Sequence, residues 1–303
     1  MSIVIETTDL TRTFGDFVAV DKVNIALEQG GVYGFLGPNG SGKSTTIRML
    51  IGLLLPTGGS GKVLGLDILT QSDEIKTQIG YVSQKFSLYD DLTVYENMDF
   101  YGGLYNIENL KRQERIQEML EFVALTDRKD ELVSSLSGGW RQKLALVCAV
   151  LHQPKILFLD EATSGADPNT RRLFWQLIYQ FAAQGTTILV TTHFLDEAEH
   201  CDAIVFIHNG CLVGNDTPEN LKKALPGTIY KIATTSPIKL LDTIKGKNIP
   251  LLDTYIHGQS VIVRLYDEYK DYLKEWDAKV ISPTLEDVFI YLVEKERLKK
   301  EAL

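Results

Sequence analysis

The sequence predicts an α/β protein built on a mostly parallel sheet, and three observations carry that prediction. Ile156–Leu159 and Thr187–Val190 are apolar runs without alternation, as strands buried on both faces require. A helical run over Asn169–Ala183 lies between them, which makes a β-α-β unit whose crossover should be right-handed. A third apolar strand, Val32–Leu36, enters a glycine-rich turn and then a helical pattern from Lys43 that Pro56 stops.

The remaining elements follow in chain order. Ser2–Glu6 and Val18–Leu27 are β-type runs, with turns at Phe14-Gly15-Asp16 and Gln29-Gly30-Gly31; they should form an antiparallel flank. Lys76–Ser83 holds another strand. From Asp91 to Val150 the spacing is helical, with Ile116, Met119, Leu120 and Val123 on one face, so a helical subdomain is expected over about 87–150. Ala203–Ile207, Asn209-Gly210 and Cys211–Val213 read as a closing hairpin. Pro218, Pro226 and Gly227 then mark a boundary. The expected domains are 1–227 and a small α+β domain over 228–303. In the second, Tyr255–Tyr266 should turn at Gly258, and Thr284-x-x-Asp287 should cap a helix with Leu285, Val288, Phe289 and Leu292 on its apolar face.

Composition narrows the function. At 303 residues, 44% hydrophobic and 23% charged, the chain can bury a proper core, which excludes a disordered or collagen-like chain and a small disulfide scaffold. The net charge is −9, and the whole acidic excess precedes residue 228. No basic stripe offers itself to a phosphate backbone, so no nucleic-acid partner is expected. Cys148, Cys201 and Cys211 are scattered, without the spacing of a zinc site or a disulfide framework. No apolar run spans a bilayer and the N-terminus lacks a secretory signal; a cytosolic protein is expected.

The chemistry sits in Gly37-Pro38-Asn39-Gly40-Ser41-Gly42-Lys43-Ser44, the pattern G-x-x-x-x-G-K-[ST]. Glycines let successive N–H groups close on phosphate oxygens, and the next helix offers its N-terminus to the same anion. Lys43 should reach the β- and γ-phosphates, the Ser44 hydroxyl should bind Mg²⁺, and Thr45 follows in the same helix turn. The glycine spacing does not fit the dinucleotide pattern G-x-G-x-x-G. A second strand must bring a carboxylate to the metal. Asp160 ends one, and Glu161, one residue on, is placed to polarise an attacking water.

Further motifs, in order, resemble the nucleotide-binding domain of ATP-binding cassette (ABC) proteins over about residues 3–220. Leu136-Ser137-Gly138-Gly139 resembles the signature motif, Gln84 in Tyr81-Val82-Ser83-Gln84 the Q-loop, Ser164-Gly165-Ala166-Asp167 the D-loop, and His193 the switch histidine. Phe14 lies where the family keeps an aromatic to stack on adenine. Pro283-Thr284-Leu285-Glu286-Asp287-Val288-Phe289 resembles a C-terminal stretch of ATPase subunits serving ABC-2-type exporters.

The resemblance implies a P-loop ATPase core with ATP and Mg²⁺ as cofactors. Ser44, Asp160 and, through water, Gln84 would hold the metal, Glu161 would be the base, and His193 would hold the γ-phosphate. It implies two nucleotide-binding domains, a homodimer or a pair with a similar subunit, with each ATP between one chain's Lys43 and the other's Ser137, Gly138, Gly139 and Asp167. It also implies membrane-spanning permease subunits on separate chains, and a peripheral place on the cytoplasmic face of the membrane. A short permease helix would dock among Phe86, Leu88, Tyr89, Leu92, Val94, Tyr95, Met98 and Phe100. The alternative is a soluble ABC ATPase acting on ribosomes or nucleic acid. Two departures stand out: Trp140 where the signature usually has Gln, which bears on efficiency, and Ala166 where Leu is common, which should loosen dimer packing.

Overall fold

The computed structural model describes residues 2–301. These divide into two compact units, one up to Pro218 and the other from Glu219, against a boundary expected after residue 227.

In the first unit β1 (Ile3–Phe14), β2 (Phe17–Val23) and β3 (Ala26–Glu28) precede β4 (Val32–Leu36). The phosphate-type loop leads into α1 (Lys43–Leu50), followed by β5 (Gly58–Val63) and β6 (Leu66–Asp67). Helix α1 ends before Pro56 because Gly52 takes φ 69 and the N–H groups of Leu53 and Leu54 fold back on the Arg48 carbonyl. The strand expected within Lys76–Ser83 is present and follows a helix. Ser72–Gln78 forms α2, with Asp73 and Glu74 in its first turn and Ile75 buried; acids there complement the helix dipole. Only Ile79–Val82 is strand, β7.

The helical region comprises α3 (Val94–Leu104), α4 (Asn109–Phe122) and α5 (Gly138–Val150), with 3-10 turns at Thr126–Arg128 and Val133–Ser135. Thr93 and Glu96 cap α3 reciprocally, and Ile116, Met119 and Leu120 are buried on α4. The fully buried Asn97 donates to the carbonyls of Tyr89 and Thr93 and accepts from the Tyr89 N–H. One amide thereby pins the segment after Gln84 to α3. Next come β8 (Ile156–Asp160), α6 (Pro168–Ala183), β9 (Thr187–Thr192), α7 (Leu195–Ala198), β10 (Ala203–His208) and β11 (Cys211–Asp216).

The central sheet runs β11-β10-β4-β9-β8-β7. Every pairing from β10 to β7 is parallel, and only the β10–β11 hairpin is antiparallel. Register aligns Leu36 with Thr192 and Asp160 with Thr191. The loops carrying Gly37, Glu161 and His193 therefore leave the sheet at one edge, the carboxyl ends where open α/β sheets bind ligands. A second, antiparallel sheet runs β2-β1-β5-β6, with β3 also on β1. One core holds the two sheets and α1 together through Ile5, Leu10, Leu27, Phe35, Ile47, Leu50 and Phe158.

The unit division falls at the start of α8 (Pro218–Lys223). The second unit contains β12 (Thr228–Ala233), α9 (Pro237–Gly246), β13 (Asp253–Ile256), β14 (Ser260–Leu265), β15 (Ala278–Ile281) and α10 (Leu285–Glu301), with an antiparallel sheet β13-β14-β12-β15. Gly258 turns the β13–β14 hairpin at φ 58. Thr284 and Asp287 cap α10 reciprocally, the Asp287 N–H donating to Thr284 Oγ1 and the Thr284 N–H to Asp287 Oδ2. Among the described residues no helix is long and apolar enough to cross a membrane.

Candidate nucleotide site

The loop after β4 is held open by geometry that only glycine tolerates. A Cβ on Gly37 would lie 2.1 Å from the Ile207 carbonyl oxygen, and one on Gly42, at φ 107, would lie 2.5 Å from that of Ala19. Gly42 caps α1 without a side-chain hydrogen bond, so the first-turn N–H groups remain for an anion. A cavity of about 430 Å³ opens above them, lined by Phe14, Phe17, Ala19, Asn39, Gly40, Gly42, Lys43, Ser44, Thr45, Gln84 and Glu161. Ser41 lies beneath the loop, 2% exposed.

Lys43 is buried, and its Nζ donates to the carbonyls of Gly37 (2.8 Å) and Pro38 (3.1 Å) and lies 3.4 Å from Glu161 Oε1. Burial pulls its pKa below the usual lysine range, while Glu161 and Asp160 oppose that shift. Ser44 Oγ donates to Asp160 Oδ1 at 2.8 Å. The Tyr81 hydroxyl reaches Asp160 Oδ2 at 3.5 Å, and burial, then the Asp160 charge, push the phenol's pKa up. Gln84 Nε2 donates to Glu161 Oε2 at 3.1 Å, and His193 Nδ1 stands 3.6 Å from the same oxygen.

Glu161 is thus the hub, contacted by Lys43, Gln84 and His193. It leaves β8 with φ 50, a left-handed conformation uncommon outside glycine. Ser44, which lines the cavity, and the buried Asp160 place a hydroxyl and a carboxylate oxygen side by side. Hard oxygen donors few in number suit Mg²⁺, which keeps water and phosphate oxygens in its remaining positions. Among the described residues no cluster of three or more His, Cys, Asp or Glu offers a competing metal site. The Gln84 amide nitrogen is turned to Glu161 rather than to this oxygen pair.

Phe14 is 46% exposed, with the Arg12 guanidinium 4.4 Å over its ring. Its cross-strand partner Phe17 also lines the cavity. Phe17 was not singled out from the sequence, and the only signal for it was its position across the Phe14-Gly15-Asp16 turn.

A family model described as ABC transporter matches residues 20–164. The Nod factor export ATP-binding protein I of Bradyrhizobium diazoefficiens is 32% identical over 307 aligned positions, covering 98% of this chain and 99% of that protein. This chain belongs to the ABC transporter family. The daunorubicin/doxorubicin resistance ATP-binding protein DrrA of Streptomyces peucetius is 37% identical, over 75% of this chain and 69% of that protein. The probable multidrug ABC transporter ATP-binding protein YbhF of Escherichia coli K12 is 48% identical over 72% of this chain, which spans only 38% of YbhF. Among solved structures, an ATP-binding subunit of an ABC transporter matches with TM-score 0.67 and 28% identity, over 73% of this chain and 92% of that one. The cassette MJ0796, dimeric and bound to ADP and Pi, matches with TM-score 0.64 and 26% identity, over 70% and 98%. These relatives are transport ATP-binding proteins and cassettes, and none of them supports the ribosome or nucleic-acid alternative.

The other ABC motifs lie away from the cavity. Ser137 caps α5 without a side-chain hydrogen bond, and it and Gly138 are exposed. Trp140, three residues into that helix turn, lies between Lys143 Nζ, 4.4 Å from its ring, and the Arg128 guanidinium at 5.2 Å. Asp167 caps α6, accepting from the N–H groups of Asn169 and Thr170 and from the Thr170 hydroxyl. Those hydrogen bonds hold its carboxyl below the usual range, so within one chain its side chain serves a helix rather than a nucleotide.

Proposed function

We propose that this chain is the ATP-binding and ATP-hydrolysing subunit of an ABC-2-type exporter, working as one of two cassettes beneath separate membrane subunits. One observation carries the proposal: the chain holds a complete phosphate and carboxylate cluster, while its signature loop is exposed and lines no part of that cavity. Two chains placed head to tail would set the partner's Ser137 and the partner's Gly139 over Lys43. The relatives named for drug resistance and Nod factor export support the direction of transport.

The residues divide the work by position. The loop amides and Lys43 bind and orient the β- and γ-phosphates; Phe14 and Phe17 offer aromatic faces to the base. Ser44 and Asp160 would hold Mg²⁺, with Gln84 acting through water, and the metal would supply neutralisation of phosphate charge when bound. Glu161, aimed into the cavity, takes the proton of the attacking water. His193, beside Glu161, holds the γ-phosphate. Closure of the second cassette excludes water, which couples turnover to opening and closing.

The same proposal places the permease contact on the segment after Gln84. There Val94 and Met98 are fully buried in the chain's own core, whereas Tyr89 and Phe100 stack edge to face at 4.8 Å, 45% and 43% exposed. An aromatic ledge pinned by Asn97 suits a short helix laid into a groove. Membrane fractionation of cells co-expressing the permease tests it. Tyr89→Asp should release the chain from the membrane fraction, with ATP turnover of the purified chain retained. A folded Tyr89→Asp chain that stays membrane-bound places the contact elsewhere.

A further inference from the structure

Asp160 and Glu161 leave β8 as neighbours but must do different work, and one side chain on the adjoining strand touches the anchoring of both. Thr191 is fully buried on β9, in register with Asp160. Its Oγ1 donates to Asp160 Oδ1 at 2.7 Å and accepts from the Glu161 N–H at 3.0 Å. The same Asp160 oxygen accepts from Ser44 Oγ at 2.8 Å. The Glu161 N–H belongs to the residue at φ 50, where the chain bends to aim its carboxylate into the cavity.

We propose that Thr191 is a positioning residue for the metal and base carboxylates. It orients Asp160 toward Ser44 and clamps the backbone elbow that presents Glu161. This role rests on the nucleotide site proposed above and extends it to a residue that touches neither nucleotide nor metal.

A hydroxyl is required because it alone can donate to the carboxylate and accept from the amide at once. Valine has the same shape and can do neither. A parallel sheet also leaves little room for substitutes. Asp160 and Thr191 form the last pair of the β8–β9 ladder, and both strands are buried along their length, which limits any backbone shift that could restore contact. Without the hydroxyl, Asp160 Oδ1 keeps only Ser44, and the Glu161 N–H keeps only the Thr191 carbonyl at 3.2 Å. The sheet retains its ladder, and the variant should fold. What it loses is the fixed direction of the Asp160 carboxylate. Partners that orient a metal-binding carboxylate are worth about 10–100-fold in metal affinity or activity.

The test reads metal coupling rather than turnover. Binding of a fluorescent, non-hydrolysable ATP analogue is measured with Mg²⁺ and in EDTA for wild type, Thr191→Val, Thr191→Ala and Thr191→Ser. Affinity in EDTA should be equal in all four, because the phosphate loop and aromatics are untouched. The tightening produced by Mg²⁺ should shrink by about tenfold in Thr191→Val and Thr191→Ala and survive in Thr191→Ser. The alanine variant stands in for valine should the added methyl disturb folding.

A folded Thr191→Val or Thr191→Ala chain with the wild-type Mg²⁺ response overturns the proposal. A serine variant as impaired as valine overturns it too, since methyl packing would then be the cause. Wild type that binds the analogue no better with Mg²⁺ than in EDTA overturns the metal reading of the site itself, and the role of Thr191 with it.

Discussion

The chain carries two glycine-bearing loops that open helices, and they are built to opposite standards. At the start of α1, the Gly37–Ser44 loop is packed against Ile207 and Ala19, and its lysine and serine are tied to Glu161 and Asp160. At the start of α5, Ser137 and Gly138 face solvent, and no side chain caps the helix. Both ends present unsatisfied N–H groups to an anion. The first is finished by its own chain. On the function proposed above, the second gains a use only when another chain supplies the phosphate, and a loop's exposure would then separate the half of a shared site that binds from the half that completes.

The largest test of that comparison is at the finished end. Glu161→Gln keeps the shape but removes the base, and turnover should fall about 10²–10⁴-fold. ATP binding should persist, and gel filtration with ATP and Mg²⁺ should reveal a stable pair of chains. Wild-type turnover in that variant would remove Glu161 from the mechanism.

At the other end, Ser137→Arg should leave the monomer's nucleotide affinity and melting temperature unchanged. Hydrolysis should drop by about 10²–10³, the scale set by losing a donor to a charged transition state. Mixing it with a Lys43→Ala chain sharpens the point, since one composite site then has both loops intact and part of the activity should return. If Ser137→Arg weakens nucleotide binding by the isolated chain, the loops are not separate halves.

The smallest of these effects concerns the base. Arg12 lies over one face of Phe14, and on the function proposed above the other face would take adenine. Phe14→Ala should weaken binding by about 1–3 kcal/mol, the usual worth of a base–aromatic stack, and should change turnover at saturating ATP little. Fluorescence titration measures it, with circular dichroism to show that the hairpin to Phe17 has survived.

What could be read from the sequence was local in origin. Val32–Leu36, Ile156–Leu159 and Thr187–Val190 declared themselves as buried strands by lacking alternation, and the Asn209-Gly210 turn is the β10–β11 hairpin, with φ 47 and 77. The phosphate loop was legible because its spacing is fixed by glycine sterics. What escaped depends on partners far along the chain. Thr191 is an ordinary strand residue until register sets it beside Asp160. Phe17 acquires a role only by pairing across from Phe14. The Asp167 side chain also caps α6, a use that Pro168 at the first helical position could have signalled. Trp140 departs from the family pattern for no reason visible locally; its cationic neighbours come from its own helix and from the 3-10 turn at Thr126–Arg128.

The exposed signature loop has a consequence for heredity. Ser137 makes no side-chain cap hydrogen bond, and it and Gly138 are exposed, so a chain altered there should escape the proteolysis that clears misfolded proteins and accumulate at normal abundance. In cells carrying both alleles it would pair freely with the normal product, and every mixed pair would contain a defective junction. A change in the core, such as at Phe158, would instead delete the protein and leave its counterpart unhindered. Because each mixed pair also keeps one intact junction, lesions of the loop should be partly dominant, and lesions of the core recessive.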